Sequence, residues 1–166
     1  MENENIADNI ADKTIPKPFQ IKVDVLELRN LSCPGKDAPV PNPYVVVKVG
    51  IILILKAGPH ERETEIRYSQ INLSVNECFD FKIETTVEEL KTMKIAFVVW
   101  HKTPWYSRDI LIGSYSLDIW TVYSKATKMI NRDWEPLERE LGEAGYINYS
   151  VVCVAEGDRI MGIVII

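Results

Sequence analysis

Residues 95–120, IAFVVWHKTPWYSRDILIGSYSLDIW, leave this chain few ways to fold, because two apolar runs without helical spacing flank one polar loop. The first run, Ile95-Ala96-Phe97-Val98-Val99-Trp100, is aliphatic, mostly β-branched, and aromatic, and reads as a buried central strand. In the second, Leu111, Gly113, Tyr115 and Leu117 alternate with Ile112, Ser114, Ser116 and Asp118. That period of two describes a strand with one buried face. The loop joining the runs, residues 101–110, therefore lies at one end of a sheet, where all-β scaffolds carry their function.

The flanking sequence supplies strands to pack against this hairpin. FQIKVDVLEL alternates strictly from Phe19, with Phe19, Ile21, Val23, Val25 and Leu28 facing in and a slip of phase near Leu26. Four prolines and a glycine make residues 30–43 a long loop. Tyr44-Val45-Val46-Val47-Lys48-Val49 forms a second strand closed by Gly50, residues 63–69 a polar strand, 70–76 a loop and 78–83 another alternating strand. Residues 85–93 suit a helical turn capped by Thr85 or Thr86 with Glu88 and Glu89 in its first turn, and residues 121–130 suit a second short helix. A proline-interrupted strand at 132–137, a charged loop at 138–145 and a strand at 146–154 complete the pattern. The expected fold is an all-β, eight-stranded antiparallel β-sandwich with one or two short helices in its connections. It spans residues 19–158, after a flexible arm, 1–18, that ends in Pro16-Lys17-Pro18, and before an apolar C-terminal extension, 159–166, whose ending reads as that of a fragment.

The totals exclude several functions. With 166 residues, 46% of them hydrophobic, the chain can fill one sizeable core. A net charge of −5 argues against a sequence-independent grip on nucleic acid and leaves any membrane contact to a local patch. Cys33, Cys78 and Cys153 are far apart with no Cys-x-x-Cys pair, so free thiols and no zinc site are expected. No apolar run reaches the ~20 residues of a membrane-spanning helix. His60 and His101 are the only histidines, and neither completes a nucleophile or acid–base signature, so no catalysis is expected.

In order along the chain, FQIKVDVLELRNL, Asn42-Pro43-Tyr44-Val45, Val75-Asn76-Glu77-Cys78-Phe79-Asp80-Phe81 and VVWHKTPWYSRDILIG resemble a C2 domain. The closing half, with DIWTVY at 118–123, Trp134-Glu135-Pro136-Leu137 and Gly145-Tyr146-Ile147-Asn148 running to Asp158, is similar to that of ferlin C2 domains. The resemblance covers roughly residues 19–158 and implies the type II strand order. It further implies a module of a membrane protein in vesicle trafficking, exocytosis and membrane fusion, at the cytoplasmic face of a vesicle or plasma membrane. Its partners would be a phospholipid surface or neighbouring domains of the same protein, with a second copy of the chain a further candidate.

In that family, aspartates from two loops gather calcium, which takes six to eight oxygen ligands. Here the corresponding positions are degenerate: Asp37 and Asn42 in one loop, His101, Thr103 and Asp109 in the other. Little or no calcium dependence is expected, and no cofactor; the alternative is one weakly held calcium ion on Asp37, Asn42 and Asp109. What remains is an aromatic tip. Pro104, Trp105 and Tyr106 stand between Lys102 and Arg108, a composition suited to the headgroup level of a bilayer. The competing expectation is that Trp105 folds back over the prolines of residues 30–43. A second candidate surface is the apolar run Ile51, Ile52, Leu53, Ile54 and Leu55, which suits packing within the domain or against a partner, or else a lipid-facing or oligomer-facing ribbon.

Overall fold

The computed structural model describes residues 13–51 and 60–158, so Ile52, Leu53, Ile54, Leu55 and the 159–166 extension lie outside the described residues. The described chain forms strands β1 (Lys17–Arg29), β2 (Pro43–Gly50), β3 (Glu61–Glu63), β4 (Leu73–Thr85), β5 (Lys94–His101), β6 (Ile110–Asp118), β7 (Met129–Pro136) and β8 (Tyr146–Ala155). Two short helices, α1 (Val87–Leu90) and α2 (Ile119–Tyr123), sit in the β4–β5 and β6–β7 connections. The strands make two four-stranded antiparallel sheets, ordered β4-β1-β8-β7 and β3-β2-β5-β6. This is the expected eight-stranded sandwich in its type II order, with the last strand seated between the first and the seventh.

The inward faces follow from the period of two. Phe19, Ile21, Val23, Val25 and Leu28 of β1 are all essentially buried, and the register against both neighbours shifts between Val25 and Glu27, where the phase slips at Leu26. Facing them across the sandwich are Val45, Val47 and Val49 of β2 and Ile95, Phe97 and Val99 of β5. Aromatic rings fill the centre, with Phe97 and Tyr149 5.0 Å apart between centroids. Burial pushes the Cys153 thiol up to about 12, so this inward cysteine packs as an unreactive apolar side chain.

Several boundaries differ from expectation for identifiable reasons. Lys17 and Pro18 belong to β1 rather than to an arm, since they pair only with Thr85 and Glu84 of β4 and proline's missing N–H is tolerated at a strand's start. The polar strand expected at 63–69 is β3, Glu61–Glu63, because the Thr64 hydroxyl takes the Val45 N–H at 2.9 Å in place of a backbone carbonyl and ends the ladder. Strand β4 begins at Leu73, inside the expected 70–76 loop, because Leu73 and Val75 are both buried. In β6 a bulge sets Val99 against Gly113 and Trp100 against Leu111, leaving Ile112 as the extra residue. Ile112 is therefore buried and Leu111 exposed, the reverse of the alternation read from sequence. Thr86 caps α1 by accepting the Glu89 N–H at 3.1 Å. The second helix ends at Tyr123, short of the expected 121–130, because Met129 and Ile130 already pair with Val152 and Val151.

Gly113 of β6 packs tightly against the connection that follows β7. A Cβ there would lie 2.7 Å from Ala144 Cβ and 3.0 Å from the Glu138 carbonyl, with Leu137 Cβ at 3.1 Å. Glu138 bridges back to Ser114 through paired backbone bonds of 3.0 and 2.7 Å, so the neighbour cannot retreat. Gly113→Val is expected to cost about 2–3 kcal/mol of folding stability by overpacking, read as a fall in urea midpoint with an unchanged slope.

Candidate functional site

Alternating strand directions bring four connections to one end of the sandwich: residues 30–42, 64–72, 102–109 and 137–145. The first three are tied to one another around Asn42. Its N–H donates to His101 Nδ1 at 2.8 Å and its carbonyl accepts the Lys102 N–H at 2.9 Å. Its side-chain oxygen accepts the Ser69 N–H at 2.8 Å, and its amide donates to the Lys102 carbonyl at 3.4 Å. Nearby, Arg67 and Gln70 donate their N–H groups to the Pro43 and Pro41 carbonyls, each at 3.0 Å. Asn42 and His101 thus serve as cross-links between connections.

Asp109 is the second knot. Its Oδ2 accepts the Tyr44 hydroxyl at 2.5 Å and lies 3.5 Å from Lys102 Nζ; its Oδ1 accepts the Thr103 N–H at 3.1 Å and the Thr103 hydroxyl at 3.3 Å. Burial works to raise the Asp109 pKa, but the Tyr44 hydroxyl, the Thr103 N–H, the Lys102 charge and the Thr103 hydroxyl outweigh it and hold the carboxyl below its ordinary value. The same contact, added to burial, pushes the Tyr44 phenol well up. Asp37 takes no part: it is exposed and forms no ion pair among the described residues.

This donor set does not fit a calcium ion. Of the five degenerate positions, hydrogen bonds join Asn42, His101, Thr103 and Asp109 into one cluster, and Asp37 makes no ion pair with it among the described residues. The one carboxylate in the cluster is neutralised by Lys102, its oxygens are already engaged, and the His101 nitrogen facing the cluster accepts a hydrogen bond. Among the described residues no group of three or more His, Cys, Asp or Glu is arranged to hold a metal ion.

Beyond these knots the chain turns outward. The Ser107 N–H donates to the Pro104 carbonyl at 2.9 Å, closing a tight turn that the Thr103 hydroxyl braces through the Ser107 carbonyl at 3.0 Å. Trp105 is 94% exposed and Tyr106 72%, their rings edge to face at 5.8 Å, so Trp105 does not fold back over the prolines. Arg108 is exposed beside them, whereas Lys102 points back to Asp109. The neighbouring connections add exposed apolar groups that the sequence reading passed over: Val40 from the first, Tyr68 and Ile71 from the second. Each is a single apolar residue in a polar loop, and only the topology shows that they stand at the same end. Ile51 is also exposed, but it follows β2 at the opposite end. Lys48 and Lys94 on the sheet and Arg67 in the 64–72 connection are paired with Glu61, Asp118 and Glu65, so these cations form no free basic patch.

Tyr44→Phe tests the Asp109 knot. A carboxyl with a depressed folded pKa contributes stability above its unfolded pKa and loses it as pH falls through the lower folded value. The substitution is therefore expected to move the Asp109 titration upward, toward the ordinary carboxylate range, and to cost about 1–2 kcal/mol at neutral pH. Carboxyl carbon chemical shifts against pH, with urea unfolding at neutral pH, check both effects.

Comparison with known proteins agrees with this architecture. The chain is 27% identical over 148 residues to myoferlin of Xenopus tropicalis, covering 87% of this chain and 7% of that protein. Human myoferlin is 29% identical over 148 residues, again 87% of this chain and 6% of that protein. The fold superposes on a C2 domain of plant extended synaptotagmin 1 with a TM-score of 0.60 at 15% identity, covering 86% of this chain and 98% of that one. The family model described as C2 domain matches residues 19–137. With its two sheets in type II order and its connections gathered at one end, the chain belongs to the C2 domain family, and its similarity to myoferlin is that of a ferlin-type C2 domain.

Proposed function

We propose that this domain is a non-catalytic, peripheral membrane-docking module that engages phospholipid through its loop end without needing calcium. The observation that carries the reading is Trp105, a large aromatic left 94% exposed on a turn that its own hydrogen bonds hold fixed. Trp105 and Tyr106 each offer on the order of 200 Å² of surface. Withdrawing half of it into the headgroup region gains about 2.5 kcal/mol per side chain at about 25 cal/mol per Å². Val40, Tyr68 and Ile71 broaden the contact, while Arg108 and the exposed Lys36 supply charges for anionic headgroups.

Calcium in the calcium-binding relatives of the family would bridge acidic loops to lipid phosphates. In this chain Lys102 sits on the remaining acid, so a fixed cation does the neutralising at every calcium concentration. On this reading, which the similarity to myoferlin supports, the domain is part of a longer ferlin-like protein of vesicle trafficking and membrane fusion and faces the cytoplasm.

Co-sedimentation with phosphatidylserine-containing vesicles tests the proposal. Trp105→Ala is expected to weaken binding at least about tenfold, equally in calcium and in chelator, with no loss of folding stability because the ring is almost wholly exposed. Unchanged binding by this variant removes the loop tip from the contact.

A further inference from the structure

The fourth connection at the loop end, residues 137–145, differs from the other three in charge and in how it is held. Arg139 clamps it. The guanidinium donates to the Ser32 carbonyl at 2.6 Å, the Glu143 carbonyl at 2.6 Å, the Leu141 carbonyl at 2.9 Å and the Ser32 hydroxyl at 3.2 Å. Its donors are spent on carbonyls and a hydroxyl, and it forms no salt bridge with the glutamates around it. Glu138, Glu140 and Glu143 are all exposed, and none has an ion-pair partner among the described residues. The loop therefore presents three carboxylates without ion-pair partners and, with Arg139 counted, a net charge of −2.

Exposed apolar groups stand on the same loop and on the strands it joins. Leu141 is 82% exposed at the tip, Tyr146 is 41% exposed, and Pro136 stands beside Tyr146 as its cross-strand partner. Trp134, 42% exposed, continues the same outward face of edge strand β7 two residues down. A cavity of about 450 Å³ opens between this face and the loop, bounded by Pro136, Leu137, Glu143 and Tyr146. The clamp holds the cavity's wall in place, and Gly145, at φ +116° with the Arg29 carbonyl 2.6 Å from where a Cβ would stand, lets the chain return tightly into β8.

We infer that this corner is a protein-docking surface for a basic, apolar-tipped peptide segment of another protein or domain, its aliphatic or aromatic residues in the cavity beside Leu141 and Tyr146 and its lysines or arginines on Glu138, Glu140 and Glu143. Charge decides between occupants. Three unpaired carboxylates oppose an anionic lipid surface, while the exposed cations Lys36 and Arg108 lie on the first and third connections instead.

The test uses a fluorescent amphipathic peptide of lysine and leucine, with a glutamate–leucine peptide as control, titrated by anisotropy and by amide NMR. The lysine peptide is expected to bind, shifting the signals of residues 134–146, and the glutamate peptide to leave them unmoved. The triple variant Glu138→Gln, Glu140→Gln, Glu143→Gln weakens binding by at least about tenfold, and Leu141→Ala weakens it severalfold, both at unchanged thermal stability. A triple of equal charge change elsewhere, Glu63→Gln, Glu84→Gln, Glu156→Gln, retains the wild-type affinity. Equal weakening by both triples, or shifts centred on other residues, makes the attraction a bulk-charge effect and overturns the inference. Loss of vesicle binding by Leu141→Ala with peptide binding intact assigns the corner to lipid and overturns it as well.

Discussion

The hydrogen bonds that bind residues 30–42, 64–72 and 102–109 to one another determine what the loop end of this domain can offer. Asn42 ties its connection to the other two through nearly every polar atom it has, Asp109 fastens its own connection to itself and to Tyr44 of β2, and His101 and Thr103 complete the set. On the proposed reading, a polar atom held this way is not offered to an ion. The loops are stiffened at their bases and have only their outermost side chains left to present. Those side chains are Trp105, Tyr106, Val40, Tyr68 and Ile71, and their exposure is the counterpart of the satisfied polar layer beneath them.

Topology distributes these properties. Because each strand antiparallel to its neighbour returns the chain to the same end, four connections converge on one surface. The connections joining β1 to β2 and β5 to β6 bear the exposed cations and the aromatic tip, whereas the β7–β8 connection bears carboxylates without ion-pair partners beside a cavity of mixed polar and apolar lining. Arg139 is the link between the two halves, reaching from the acidic loop to Ser32 at the base of the first connection. On the proposed reading one end of the sandwich serves two partners at once, lipid on one side and a basic segment on the other.

Much of the fold was legible because the core strands obey a period of two. Phe19, Ile21, Val23, Val25 and Leu28 could be assigned inward from sequence, and even the slip at Leu26 left its mark as a break in phase. What could not be read depended on single atoms or on tertiary neighbours. The Thr64 hydroxyl that ends β3 looks like any polar residue in a polar run, and the bulge that buries Ile112 instead of Leu111 is set by pairing with β5. The same holds at the site. The loss of acids at Asn42, His101 and Thr103 was visible in the sequence, but their engagement with one another required the fold. Val40, Tyr68, Ile71 and the clamp of Arg139 carry no local signal, because each is meaningful only beside residues distant in the chain.

If the loop end has spent its ligands internally, it has no purchase left for calcium. Amide NMR spectra recorded during a calcium titration test this most directly. The signals of residues 36–42, 67–70 and 101–109 are expected to stay in place up to millimolar calcium, with the Asp109 carboxyl still titrating below its ordinary range. Saturable shifts confined to these residues at micromolar calcium contradict it, for they require the Tyr44, Thr103 and Lys102 contacts to give way to the ion.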